Sequence, residues 1–182
     1  MAHAQKKLPA ENQPGIKISR AAEAAGIPVA TARTWYARGH IFLREYDQDS
    51  GESGSMRLLS VRSAIQLCLA AELVRLGISS SEAGQIAMQF AYGGGGYGNY
   101  GDEDLGPPVE TRPNGGLFPD GETWLFVSRD RWDGTLHHSI VNVYGDFEEG
   151  LNQAMIRRDQ AFGAIQLDEF VSTARVRLGL RG

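Results

Sequence analysis

The chain has 182 residues, of which 42% are hydrophobic and 22% charged, and its net charge is −4. That length holds one well-filled domain, or a small domain with a smaller partner, and the composition is that of a soluble globular protein. No charged start leads into an apolar stretch, and the most apolar segment, Ala64 to Leu76, is interrupted by Gln66, Glu72 and Arg75. Neither a secretory signal nor a membrane span is expected, and the location predicted is the cytoplasm. A single cysteine, Cys68, excludes an internal disulfide and any multi-cysteine metal site.

Charge is unevenly spread. Residues 1–90 hold ten Lys/Arg against eight Asp/Glu, a balance of +2, and residues 91–182 hold eight against fourteen, a balance of −6. That asymmetry suits a mildly basic binding head and an acidic body whose net charge does not itself favour phosphates.

Residues 1–15 lack periodicity and contain two prolines, which predicts a flexible arm. Ile16-Lys17-Ile18 follows, then Ser19, expected to cap a short helix Arg20–Ala25. Gly26 ends that helix, and Pro28 stands where the next begins, running from Val29 to about Arg38. Two short helices joined by a Gly-containing turn make a helix-turn-helix. The 3.6-residue period divides the second helix into two arcs. Val29, Ala32, Trp35 and Tyr36 form the inward arc, with Trp35 as anchor. Ala30, Arg33, Thr34, Ala37 and Arg38 form the outward one, small enough to approach a groove floor and supplied with donors for bases and phosphates.

After Gly39, the stretches Ile41–Tyr46 and Met56–Leu59 flank a polar loop, Asp47–Ser55, and are expected to pair as a hairpin wing. Arg44 and Arg57 flank its loop, whereas Glu45, Asp47, Asp49 and Glu52 place four negative charges on the same element. Ser60 is expected to cap a third helix reaching about Leu76, with Val61, Ile65, Cys68, Leu69, Leu73 and Leu76 on one face. Gly77 stops it, and Ser79-Ser80-Ser81-Glu82 has the spacing of a capping box for a fourth helix with Ala83, Ile86, Ala87 and Phe90 buried. Cys68 on an apolar face reads as a packed core thiol.

Residues 93–116, with GGGGYGNYG and three prolines, read as a linker. Beyond it, Thr123–Ser128 and Leu136–Tyr144 have strand composition around a turn at Asp133-Gly134, an antiparallel hairpin. Asp146 is expected to cap a helix carrying Phe147, Leu151, Met155 and Phe162, and Asp168 a last helix through Phe170, Val171, Ala174 and Leu178. His137 and His138 point to opposite faces of a strand and cannot chelate together. Trp124, Phe126, Trp132 and Tyr144 are read as packing of a small β unit in preference to a ligand pocket. About 65 residues with one hairpin and one or two helices bury little surface alone, so this unit is expected to pack on the head or on another copy of itself.

Five stretches then carry a resemblance: Ile18-Ser19-Arg20-Ala21-Ala22 with Gly26-Ile27; Thr31-Ala32-Arg33-Thr34-Trp35; Arg38-Gly39-His40-Ile41; Gly54 to Ser60; and Glu72 to Ser79. In order and spacing they resemble the MerR superfamily and the related excisionase-type heads. The resemblance implies a winged helix-turn-helix of four helices plus a wing hairpin over 16–92; with the linker 93–116 and the β-hairpin and helix unit over 117–182 read above, the chain is expected to be α+β. It implies a bacterial, nucleoid-associated transcriptional regulator that binds double-stranded DNA as a dimer through 117–182, with its second helix in the major groove and RNA polymerase as a further partner. Arg33 and Thr34 of the second helix would contact DNA, with Thr31, Tyr36 and Arg38 beside them, Arg57 and Arg44 from the wing, and Lys17 and Arg20 at the first helix. The metal-sensing cysteines of that family are absent, and the long dimerisation helix is replaced by the linker.

No nucleophile elbow, phosphate-binding loop or paired carboxylates stand out; the glycine run has no strand before it and no Lys-Ser/Thr after it. No enzyme activity and no cofactor are expected. Two alternatives stay open: an architectural or excisionase-like protein assembling along DNA, and a head turned into a protein-interaction module.

Overall fold

The computed structural model describes residues 12–48, 57–93, 112–143, 148 and 161–180. The protein is α+β, with helices and two small antiparallel sheets. In chain order the elements are β1 (Ile16–Lys17), α1 (Ile18–Ala25), α2 (Val29–Ala37), β2 (Leu58–Leu59), α3 (Val61–Arg75), α4 (Ser80–Tyr92), β3 (Glu122–Arg129), β4 (Leu136–Val143), β5 (Ala161–Gln166) and α5 (Leu167–Arg177). Residues 1–88 and 174–181 form one compact unit, and residues 89–173 with Gly182 form the other. The division observed thus takes the end of α4 and the segment from Arg112 into the C-terminal unit, and the end of α5 into the N-terminal one.

In the N-terminal unit α3 is the hub. Every residue from Ser63 to Ala71 is buried, so this helix is enclosed on all sides and is not amphipathic. Leu76, expected on its buried face, is 47% exposed instead, because α3 gives way to its C-cap there. Burial pushes the Cys68 thiol up to about 12 despite the nearby positive charges of Arg177 and Arg75, which keeps it a protonated core residue. Ser60 caps α3 as expected, its hydroxyl accepting from the Ser63 N–H at 3.2 Å. Ser79 caps α4, accepting from the Glu82 N–H at 3.3 Å while donating to its carboxylate at 2.6 Å.

Three expectations for this unit change. First, α1 begins at Ile18 with Lys17 at its N-cap, so Ser19 lies inside the first turn and does not cap. Second, Ile41–Tyr46 forms no strand. Leu58 and Leu59 pair with Lys17 and Ile16, and of the expected hairpin the described residues show an isolated bridge between Gln48 and Leu58, with N–H···O bonds of 2.8 and 3.0 Å. The segment that precedes α1 outcompetes the segment after α2 because Gly15 and Ile18 extend the same ladder, bonding the carbonyl of Leu59 and Arg57 respectively. Third, the arm is packed at its end: Asn12 is 8% exposed.

In the C-terminal unit β3 is the central strand, flanked by β4 and β5, and antiparallel to both. Its Leu125, Phe126 and Val127 are all buried, as a strand covered on both faces requires. Phe126, Val141 and Val143 form a core against which Trp124 and Ala164 pack. The expected hairpin of β3 and β4 is present, but 161–166 is a strand, where a helix through Phe162 was anticipated. Its backbone pairs with β3 from Trp124↔Gln166 to Arg129↔Ala161, a long-range ladder that no local periodicity announces. Asp168 lies in the first turn of α5 and caps nothing there: its carboxylate accepts from the Thr123 N–H at 2.6 Å, tying α5 to β3. Trp132 is not core, being 85% exposed. Asp146, Phe147, Leu151, Met155, Tyr144, Asp49 and Glu52 lie outside the described residues.

His137 is exposed and His138 half-buried, paired with Ser128 and Val127 across the ladder. The His138 Nε2 lies 2.5 Å from the Gln89 Oε1. Burial first, and the charge of His137 second, lower the His138 pKa from its ordinary 6.5. The unfolded chain therefore takes up a proton that the folded unit resists. The stability His138 contributes is present in full above pH 6.5 and is lost as the pH falls through its folded pKa. The expected result is a C-terminal unit less stable at acidic than at neutral pH. Proton NMR should titrate this ring below 6.5, and His138→Gln should flatten the slope.

Candidate nucleic-acid interface

Three residues, Gly26-Ile27-Pro28, turn the chain from α1 into α2. Gly26 adopts φ 65, a left-handed conformation that costs an L side chain energy. There its N–H reaches the Glu23 carbonyl and the Ile27 N–H reaches that of Ala22, both at 3.0 Å, closing α1 in a Schellman motif. Arg75, near the end of α3, holds the same corner: its guanidinium donates to the Ala25 carbonyl and to the Glu72 carboxylate. A basic side chain on a helix C-terminus also opposes the negative end of the helix dipole. The sequence reading missed Arg75, since its target lies 50 positions away in the chain.

The two arcs of α2 are realised. Ala32, Trp35 and Tyr36 are buried, and Ala30, Arg33, Thr34, Ala37 and Arg38 are exposed. The Thr34 hydroxyl donates back to the Ala30 carbonyl at 2.9 Å, which leaves its oxygen lone pairs as acceptors. Arg33 and Arg38 make no ion pair among the described residues. Neither α1 nor α2 receives a side-chain cap at its N-terminus, so their first-turn N–H groups are not satisfied from within by a side chain. Thr31 is half-buried at the edge of the exposed face.

Tyr36, expected to reach DNA, is only 9% exposed. It serves as a platform: the guanidinium of Arg57 lies over its ring, 5.1 Å from the centroid. This contact ties the base of the wing to the back of α2. Lys17 pairs with Leu58 in the short ladder, so Lys17 and Arg57, which immediately precedes β2, lie close together, and both retain exposure. Arg20 is exposed on α1 and bonded to Glu23 at 2.9 Å. Arg44 is half-buried, its N–H given to Asp47 at 2.9 Å.

Asp47 removes one objection raised by the wing's acidity. Its carboxylate accepts from the Ser60 N–H at 2.7 Å, the Ser63 hydroxyl at 2.6 Å and the Arg44 N–H, which turns it inward onto the start of α3. The charge sits at a helix N-terminus, where it is stabilising. It is spent on the fold and does not face outward. No sequence signal marks this, because Asp47 stands 13 residues before the cap it completes.

Among the described residues no group of three His, Cys, Asp or Glu side chains could hold a metal ion, and no helix is long and apolar enough to cross a membrane. No protein-family model matches the chain, and no curated protein matches it.

Proposed function

We propose that the chain is a sequence-specific double-stranded DNA-binding protein built on a MerR-like winged helix-turn-helix, acting in transcription regulation. The observation that carries this reading is the face of α2. Two arginines and a threonine stand among alanines on the exposed arc, while Trp35 and Tyr36 pin the helix from behind. Small residues allow close approach of the axis to a groove floor, and guanidinium groups are suited to guanine edges and phosphates. Lys17 and Arg57 beside the ladder, and the start of α2, which has no side-chain cap, supply cationic and N–H donors for the flanking backbone.

One head of this size binds weakly, so the proposal includes a dimer through the C-terminal unit and two half-sites per operator. It carries with it a cytoplasmic, nucleoid-associated location, contact with RNA polymerase, and no catalytic role. The test is selection of bound fragments from genomic DNA, followed by titration with salt. Affinity for a selected fragment should fall steeply as salt rises, through counterion release. Arg33→Ala and Arg38→Ala should each weaken binding by about 1–3 kcal/mol. A complex indifferent to salt, with both variants at wild-type affinity, would transfer this face to a protein partner.

A further inference from the structure

The turn between β3 and β4 places Trp132 in solvent, 85% exposed, more than Phe42, Val176 or Leu76 among the exposed large apolar side chains. The turn is built to hold it there. Asp130 Oδ1 accepts from the N–H of Trp132 at 2.7 Å and of Asp133 at 3.3 Å. Asp133 Oδ1 accepts from the Thr135 N–H at 2.8 Å, and Arg129 Nη1 donates to the Gly134 carbonyl at 2.7 Å. The backbone closes on itself between Asp130 and Thr135 at 2.8 Å, and between Gly134 and Asp130 at 3.0 Å. A tip ordered in advance loses little conformational entropy when it engages a partner. The Arg131 guanidinium covers one face of the indole, 5.2 Å from the ring, and the high exposure leaves the other face open.

We infer that Trp132 is a stacking platform for an unpaired base of single-stranded nucleic acid, with the Arg131 guanidinium as the second plane of the stack. Chemistry favours this occupant over a protein. A tryptophan that anchors a protein interface sits inside a rim that excludes water. The tip, Arg129-Asp130-Arg131-Trp132-Asp133-Gly134-Thr135, offers no second apolar side chain to build one. A base requires one π-face and a neighbouring cation, which is what the tip presents. The Asp130 and Asp133 carboxylates are turned onto backbone N–H groups of the turn. The site belongs to the C-terminal unit and stands independently of α2.

The test uses the full chain and a labelled oligothymidylate read by anisotropy, with acrylamide quenching of tryptophan fluorescence alongside. Trp35 is 7% exposed and Trp124 half-buried, so Trp132 dominates the accessible emission. The oligonucleotide should protect Trp132 from acrylamide. Trp132→Ala should weaken binding about 5- to 150-fold, in line with roughly 1–3 kcal/mol per stacked base, while Trp132→Phe retains part of it. The circular dichroism of both variants should match that of the wild type, since the side chain is 85% exposed. Binding should survive the double change Arg33→Ala, Arg38→Ala, which separates this site from the α2 face. Equal affinity in Trp132→Ala, loss of binding in the double variant, or equal protection by polyglutamate would each overturn the assignment.

Discussion

Replacing Gly84 by alanine should destabilise the N-terminal unit by about 2 kcal/mol, the difference between two opposing effects. Alanine in a helix interior is favoured over glycine by about 1 kcal/mol, so on propensity alone the change would help. The position forbids it. A Cβ at Gly84 would overlap the carbonyl oxygen of His40 and lie 2.9 Å from its carbon, with the Ile41 Cγ1 at 3.5 Å. The obstruction is backbone and cannot swing aside. The His40 N–H is bonded to the Trp35 carbonyl at 2.9 Å, its ring lies 2.8 Å from the Ser80 hydroxyl, and Ile41 is wholly buried. Overpacking of this kind costs about 1–3 kcal/mol, at the upper end where nothing yields. Urea denaturation followed by Trp35 emission measures the loss, and Gly84→Val should exceed it. Because α4 here holds the end of α2, the DNA affinity proposed for that helix should fall with stability. An unchanged midpoint would mean that α4 can step back from His40 freely.

Arg112→Ala should cost the C-terminal unit about 3 kcal/mol, seen as a thermal midpoint lowered by roughly 12–24 °C for a unit of this size. Arg112 is 4% exposed and has no carboxylate partner among the described residues. Its guanidinium donates instead to the carbonyls of Phe90 at 3.0 Å, Gly116 at 3.2 Å, Gln89 at 3.3 Å and Pro113 at 3.4 Å, and lies over the Phe90 ring at 5.0 Å. Burial lowers its pKa to about 10, so it stays charged at neutral pH, with carbonyl dipoles serving where a counterion would. Two of those carbonyls belong to the last turn of α4, where they also accept from the N–H groups of Gly93 and Gly115, and the guanidinium adds a positive charge at the negative end of the helix dipole. Alanine would remove all four charge-assisted bonds; the carbonyls of Gln89, Phe90 and Pro113 would keep the N–H groups of Gly93, Gly115 and Gly116, and that of Gly116 would lose its guanidinium donor. Lysine should rescue little, since a single ammonium cannot reproduce a fork that spans two segments. Thermal denaturation of both variants checks this; a lysine variant at wild-type stability would reduce the role of Arg112 to charge alone.

Both positions show where local pattern is blind. Gly84 reads in sequence as a tolerated glycine inside a helical stripe, and Arg112 falls in a stretch assigned to a linker by its glycines and prolines. Asp47 and Arg75 are similar. Each completes the end of a helix that lies 13 or 50 residues away in the chain, a relation no spacing rule reaches.

What the sequence determined by itself is short-range. The exposed and buried arcs of α2 follow from the 3.6-residue period, the corners at Gly26 and Gly77 from glycine's access to positive φ, the caps at Ser60 and Ser79 from hydroxyls one turn before the N–H groups they meet, and the hairpin of β3 and β4 from strand composition around Asp133-Gly134. What only the tertiary structure decided is which distant segments compete for the same backbone groups. Leu58 chose Lys17 and a single bridge to Gln48 over a full wing hairpin, 161–166 became the third strand on β3, and Tyr36 turned from expected contact to platform for Arg57. The physical reason is that a hydrogen bond or a buried face is won by whichever partner the packed chain brings within reach. Such outcomes depend on loop closure and burial across the whole unit, and neither is written in a window of neighbouring residues.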